Sequence, residues 1–241
     1  MLNKLCILSL SILVGCASGH VGPRIGAELP VSGIGATGNV TSTSSQVGFV
    51  GGLSFEGMFS RTWGLRGDPQ IRTVGGDVGF AGTTASGDGI ISATGVITTN
   101  ATFVDLPIMA MFSTTDSGST IHPFFCFGLV LSSTTSTTIG ASGTQTYSEG
   151  GQSVSAPFAS QTSGTGGLGG PFVSALFSGG IRYPVSQSWE FRVEARLQHH
   201  LNEADFASYT LYTASYRTVA RVTISAPTTS VGVTLGMMLR L

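Results

Sequence analysis

The chain has 241 residues, a formal net charge of −1 and only 10% Asp, Glu, Lys and Arg, where a soluble surface carries about 25–35%. That balance excludes a nucleic-acid or polybasic membrane-surface role. The length suits one barrel or sandwich domain, and the 35 glycines favour turns over helices. The only lysine is Lys4, and no Lys or Arg lies between Arg72 and Arg182. No stretch of about 18 residues is continuously apolar, so a membrane-spanning helix is not expected.

Residues 1–17 read as an export signal: Lys4 precedes an apolar run, Leu5 to Val14, of about ten residues, too short to span a bilayer. Leu13-Val14-Gly15-Cys16 resembles the lipobox of bacterial lipoproteins, which makes Cys16 a candidate for acylation. Ordinary cleavage near Gly15-Cys16-Ala17 is the alternative. Cys6 falls within the signal, which leaves Cys126 with at most Cys16 and no disulfide framework.

Eight strand-like runs follow. In Arg24 to Ser32, Ile25, Ala27, Leu29 and Val31 alternate with polar residues or glycine. Gln46 to Phe59 sets Val47, Phe49, Leu53 and Phe55 against Gly48, Gly52, Ser54 and Glu56. After Ser60-Arg61-Thr62 comes Trp63 to Thr73, in which Arg66, Asp68, Gln70 and Arg72 oppose Leu65 and Ile71. Pro69 cannot donate to a ladder, so a bulge or an early end is expected there. Ala101 to Ser113 carries Val104, Leu106, Ile108, Ala110 and Phe112 on one face and Asp105 on the other. Ile121 to Ser132 sets Phe125, Phe127, Leu129 and Leu131 against His122, Phe124, Cys126 and Gly128. Phe172 to Val185, a run from Trp189 and Thr229 to Leu241 complete the set.

The run from Trp189 is the most regular. Trp189, Phe191, Val193, Ala195 and Leu197 alternate with Glu190, Arg192, Glu194, Arg196 and Gln198. Those apolar residues would spread around a helix, so the period is that of a strand. Spacers after the odd-numbered runs are long, and those after the even-numbered runs are short. An outer-membrane barrel has this rhythm, with short periplasmic turns, long outer loops and both termini on the periplasmic side. Phe59, Trp63, Phe112, Tyr183 and Trp189 flank the short turns as an interfacial girdle would.

An Arg facing lipid at the midplane of a barrel costs about 2–4 kcal/mol. The charged face is therefore expected inside, with Arg24, Glu28, Glu56, Arg66, Asp68, Arg72, Asp105, Arg182, Glu190, Arg192, Glu194, Arg196 and Arg240 forming a packed ion-pair network. An eight-stranded lumen is just wide enough to be filled by side chains. The spacers Val74 to Asn100 and Ser133 to Gly170 are rich in Ser, Thr and Gly and are expected to be mobile by composition. Tyr209 to Ser225 differs, with strand propensity and the candidate contact residues Tyr209, Tyr212, Tyr216, Arg217 and Arg221. It is expected as a hairpin extending the last two strands, either with an exposed edge open to a partner or as an inert surface hairpin.

Phe103-Val104-Asp105-Leu106-Pro107, Pro123-Phe124-Phe125-Cys126-Phe127-Gly128, Gly179-Gly180-Ile181-Arg182-Tyr183, Arg192-Val193-Glu194-Ala195-Arg196 and the closing strand Val231 to Leu241 resemble the small eight-stranded outer-membrane barrels of OmpA, OmpX or PorT-like type. The resemblance covers roughly residues 24 to 241. It implies an all-β, antiparallel, up-and-down transmembrane barrel in the bacterial outer membrane, with lipids and lipopolysaccharide as neighbours. A monomer without cofactor is expected, acting structurally or adhesively through its outer loops. The usual terminal aromatic is missing, since the chain ends Arg240-Leu241.

Two other readings stay open. One is a soluble exported lipocalin-like binding barrel. The other is a lipid A-modifying barrel enzyme, because His199-His200-Leu201-Asn202 is similar to the His-x-Ser-Asn motif of the lipid A 3-O-deacylases. Leu201 occupies the serine position, which removes the attacking hydroxyl. If Cys16 is acylated, Cys16→Ala should abolish palmitate labelling and slow processing. An unlipidated mature N-terminus at Ser18 or later, read by mass spectrometry, would exclude acylation.

Overall fold

The protein is described here by a computed structural model covering residues 18–32, 34–87, 89–114, 120–165, 171–202, 205–212 and 218–241. The signal segment and Cys16 lie outside the described residues. The strands are β1 (Ser18–Pro30), β2 (Gly35–Gly38), β3 (Val40–Gln46), β4 (Gly48–Met58), β5 (Trp63–Gly67), β6 (Gln70–Ser86), β7 (Gly89–Ser113), β8 (His122–Glu149), β9 (Gln152–Thr165), β10 (Phe172–Pro184), β11 (Trp189–His200), β12 (Asp205–Tyr212), β13 (Thr218–Ser225) and β14 (Thr229–Arg240).

Antiparallel pairing runs β4–β1–β14–β11–β10–β8–β7, and β7 returns to β4 through β5 and β6. The ring is closed, with β5 and β6 as two halves of one stave. This is the eight-strand barrel expected from the sequence. Closure matters because no water within a bilayer can satisfy a free sheet edge. In register, Ile25 and Val193 both face Leu235, and Arg192 faces Arg182, so one inward parity propagates around the ring.

The divided stave has a chemical cause. Pro69 has no N–H to give the ladder, and β5 ends at Gly67 while β6 begins at Gln70. The gap is still tied down, since Leu53 N donates to Pro69 O at 3.0 Å and Asp68 N to Pro107 O at 3.2 Å. Parity survives the break, and Arg66, Asp68, Gln70 and Arg72 are all buried.

The Ser/Thr/Gly-rich spacers depart from expectation. Over their described residues they are strands that continue the staves. β7 has 25 residues and β8 has 28, so β7 runs about 80 Å where a tilted strand needs roughly 9–11 residues to cross a membrane. Their ladders continue to Ser86↔Gly89 and Ile90↔Ser148, with one bulge in the β7–β8 pair between Thr102 and Phe103. Thr is a good strand former, and a period-2 apolar set (Val74, Val78 and Phe80 on β6; Ala93, Ile97 and Ala101 on β7) gives these extensions a buried face. Composition weighed Ser and Gly as loop formers, but backbone pairing and packing outweigh them.

The hairpin at residues 205–225 also differs from expectation. It does not extend β11 and β14, but forms a separate sheet of order β12–β13–β2. β13 is its central strand, and Val219, Ala220, Val222 and Ile224 are buried, so this strand offers no free edge. The second sheet packs on the extended staves around Phe80, which meets Phe158 at 6.3 Å and Tyr209 at 6.1 Å between ring centroids. The barrel thus carries a folded cap with its own apolar core.

Gly82 permits the close approach of the two cap sheets, because a Cβ there would lie 2.1 Å from Val219 O. Gly82→Val should therefore loosen the cap and expose β12–β13 to protease on intact cells. Heat-modifiable migration of the barrel should persist, and its loss would mean that cap and barrel fold as one unit.

Candidate functional site

Outward positions of the staves form a continuous apolar belt. Ile25, Phe49, Leu53, Ile71, Ile108, Phe125, Leu129, Phe177, Leu197 and Val233 are all exposed, Phe125 at 61%. A patch of this extent is not tolerated in water. Phe59, Trp63, Tyr183 and Trp189 are exposed near the short turns, with Trp63 and Phe112 in edge contact at 5.2 Å. They form the aromatic girdle at one interface.

Inward positions carry the charge. Arg24, Glu28, Glu56, Arg66, Asp68, Arg72, Asp105, Arg182, Glu190, Arg192, Glu194 and Arg196 are buried, whereas the Arg240 side chain is 48% exposed at the mouth. Nearest the short turns, Glu56 collects Arg66 at 3.5 Å, Arg182 at 3.1 Å and Arg192 in direct contact. The same guanidiniums ring Phe124, with Arg192, Arg182 and Arg66 at 4.7, 5.2 and 5.8 Å from its centroid. This cation–π contact partly replaces lost hydration.

One level up, Arg66 Nη2 reaches Asp68 at 2.7 Å and Glu194 at 2.6 Å. Asp68 also pairs with Arg24 and accepts from Ser54 Oγ at 2.7 Å. Gln70 links the levels: its Oε1 accepts from Arg24 and from Arg196 at 2.9 Å, and its Nε2 donates to Asp105 at 3.1 Å. Toward the cap, Arg72 pairs with Asp105 at 2.8 Å and Glu28 at 3.5 Å. Sequence reasoning did not select Gln70, Ser54, Phe124 or His20. Their inward parity was a usable signal, but neutral side chains carry a smaller lipid penalty than a guanidinium and so stand out less.

The packing leaves little space. A void between Glu28, Val50, Leu176, Arg196 and Ser230 measures about 10 Å³, enough for one water. Vestibules of about 400 Å³ open at each end. The outer one is lined by His200, Asn202, Asp205, Ser225 and Thr228. His200 is buried and its Nδ1 lies 2.8 Å from Ser174 Oγ, whereas exposed His199 meets Thr229. Among the described residues no group of three His, Cys, Asp or Glu is arranged to hold a metal. Of the tyrosines and arginines singled out on the 209–225 segment, Tyr209 is half-buried, Tyr212 and Arg221 are exposed, and Tyr216 and Arg217 lie outside the described residues.

A closed eight-stave ring, an outward apolar belt and an inward charged column define the architecture. The OprG outer-membrane protein of Pseudomonas aeruginosa matches it over 94% of this chain and 97% of its own, at a TM-score of 0.54 and 9% identity. This chain has the fold of the small outer-membrane β-barrels. Neisserial surface protein A (12% identity, 90% and 95% covered, TM-score 0.37) and Ail of Yersinia pestis (12%, 92% and 99%, 0.34) are more distant matches. No family model and no curated protein sequence matches. The outer-membrane barrel sits with its belt in the lipid of the bacterial outer membrane, in contact with lipids and lipopolysaccharide. A shared barrel does not decide chemistry.

Glu56 is the member of the column whose loss should matter most. Glu56→Gln leaves the Arg182 and Arg192 guanidiniums buried without a carboxylate, and breaking such a pair costs about 3–5 kcal/mol. The temperature at which heat-modifiability is lost should fall markedly, while Val233→Leu on the belt should leave it unchanged.

Proposed function

We propose that this outer-membrane barrel is a non-conducting, non-catalytic surface protein whose role is interaction through its cap. The charged column serves in this reading as an internal brace that fixes the barrel and seals its lumen. The observation that carries the proposal is the cap itself. Chain that a pore would leave as short rims is built instead into two packed sheets with a separate apolar core. Such a body presents a fixed surface, on which exposed Tyr212 and Arg221 belong to the residue types that dominate interfaces. Rigid presentation lowers the ordering cost of binding a partner. The tight lumen void supports the sealed reading.

Two measurements test it together. Purified barrel in planar bilayers should give no discrete single-channel steps, and defined conductance steps would make it a pore. Cells displaying the protein should bind host or abiotic surfaces more than cells displaying a version with residues 205–225 replaced by a Gly/Ser linker. Equal binding, with both proteins at the surface, would remove the cap from the function.

A further inference from the structure

The column is not electrically even along its length. From Arg66 toward the cap, Arg24, Arg66, Arg72 and Arg196 are matched by Glu28, Asp68, Asp105 and Glu194. At the short-turn end, among the described residues, Arg182, Arg192 and Arg240 share Glu56 and Glu190. The surplus cation therefore sits beside the vestibule at that mouth. This vestibule, of about 400 Å³, is lined by His20, Ser113, His122, Arg182, Glu190 and Arg61 among others. The volume falls in the range of small-ligand sites, roughly 300–1,000 Å³.

Donors outnumber acceptors among its unpartnered atoms. Arg182 Nε, Ser113 Oγ and His122 Nδ1 have no hydrogen-bond partner, against one lining acceptor, Glu190 Oε2, which stands 3.6 Å from His20 Nε2. Arg182 is 5% and Ser113 1% exposed, so these are enclosed groups and not a solvated rim. Guanidinium can only donate, and serine and histidine are able to. Enclosed donors with a surplus positive charge are complementary to an oxyanion. The outer vestibule is the reverse, since its described lining contains Asp205 and no arginine.

We infer that the short-turn mouth is a binding site for a small multivalent oxyanion, a phosphate monoester or a polycarboxylate, presented from the periplasm. Arg182 Nε and Ser113 Oγ would donate from the floor and His122 from the wall. The proposal concerns the face opposite the cap and does not depend on what the cap binds.

The test is calorimetric titration of the refolded full barrel in nonionic micelles with inorganic phosphate, methyl phosphate and citrate as separate probes. Saturable one-to-one binding of at least one probe is expected, and the preferred probe tells phosphate from carboxylate. Ser113→Ala with His122→Ala should weaken it about tenfold through the lost charge-assisted bonds, with heat-modifiability unchanged. Neither substitution removes a column charge, so the barrel should survive. Absence of saturable binding by any probe, or equal affinity in the double variant, would overturn the assignment.

Discussion

An eight-stave lumen is too narrow for bulk water, yet the lipid outside forbids charge on the other face. Everything else in this barrel depends on that constraint. Charge placed inside must be neutralised by charge from another stave, because desolvating an unpaired ion in a low-dielectric interior costs more than one strand contact returns. The column meets this with shared partners. Glu56 serves guanidiniums from three staves, and Asp68 takes Arg24, Arg66 and Ser54. Such cross-links make the register of each stave depend on that of the others, since a one-residue slip would turn a whole charged face into lipid.

The same pairing logic, continued beyond the membrane, makes the cap. Once β6, β7 and β8 are held in register by the wall, extending them needs only ladder hydrogen bonds and a face to bury. The β12–β13–β2 sheet supplies that face, with Val222 and Ile224 against the Phe80 side of the extended staves. A long insertion that would be entropically loose on a flexible support becomes ordered because its ends are already fixed. The barrel is thus a scaffold for its own outer domain. Both ends of the lumen open into a vestibule, the outer one lined by Asp205 among others and the short-turn one by Arg182 and Glu190.

The divided stave shows how a local defect is accommodated. Pro69 removes a ladder donor, but the neighbouring backbone atoms of Leu53 and Asp68 find carbonyls at Pro69 and Pro107. Asp68 is left where both Arg24 and Arg66 reach it. A proline that would weaken an ordinary central strand thus sits next to a much-shared carboxylate.

By itself the sequence determined the wall. Period-2 alternation, the cost of Arg in lipid and the long-short rhythm of spacers are local signals, and they sufficed for eight staves, their order and their apolar face. Even the interruption at Pro69 was legible, since a missing N–H is a property of the residue. Tertiary structure alone decided the rest. Alternation assigns a residue to a face but not to a partner, so that Gln70 bridges Arg24, Arg196 and Asp105 follows only from stave register. The cap was misread because Ser, Thr and Gly are ambiguous between loop and strand. Their state was set by long-range contacts, β13 on β6 and Phe80 on Phe158 and Tyr209, which no local window contains. The uneven charge along the lumen was likewise hidden, because it is a sum over staves brought together only by closure of the ring.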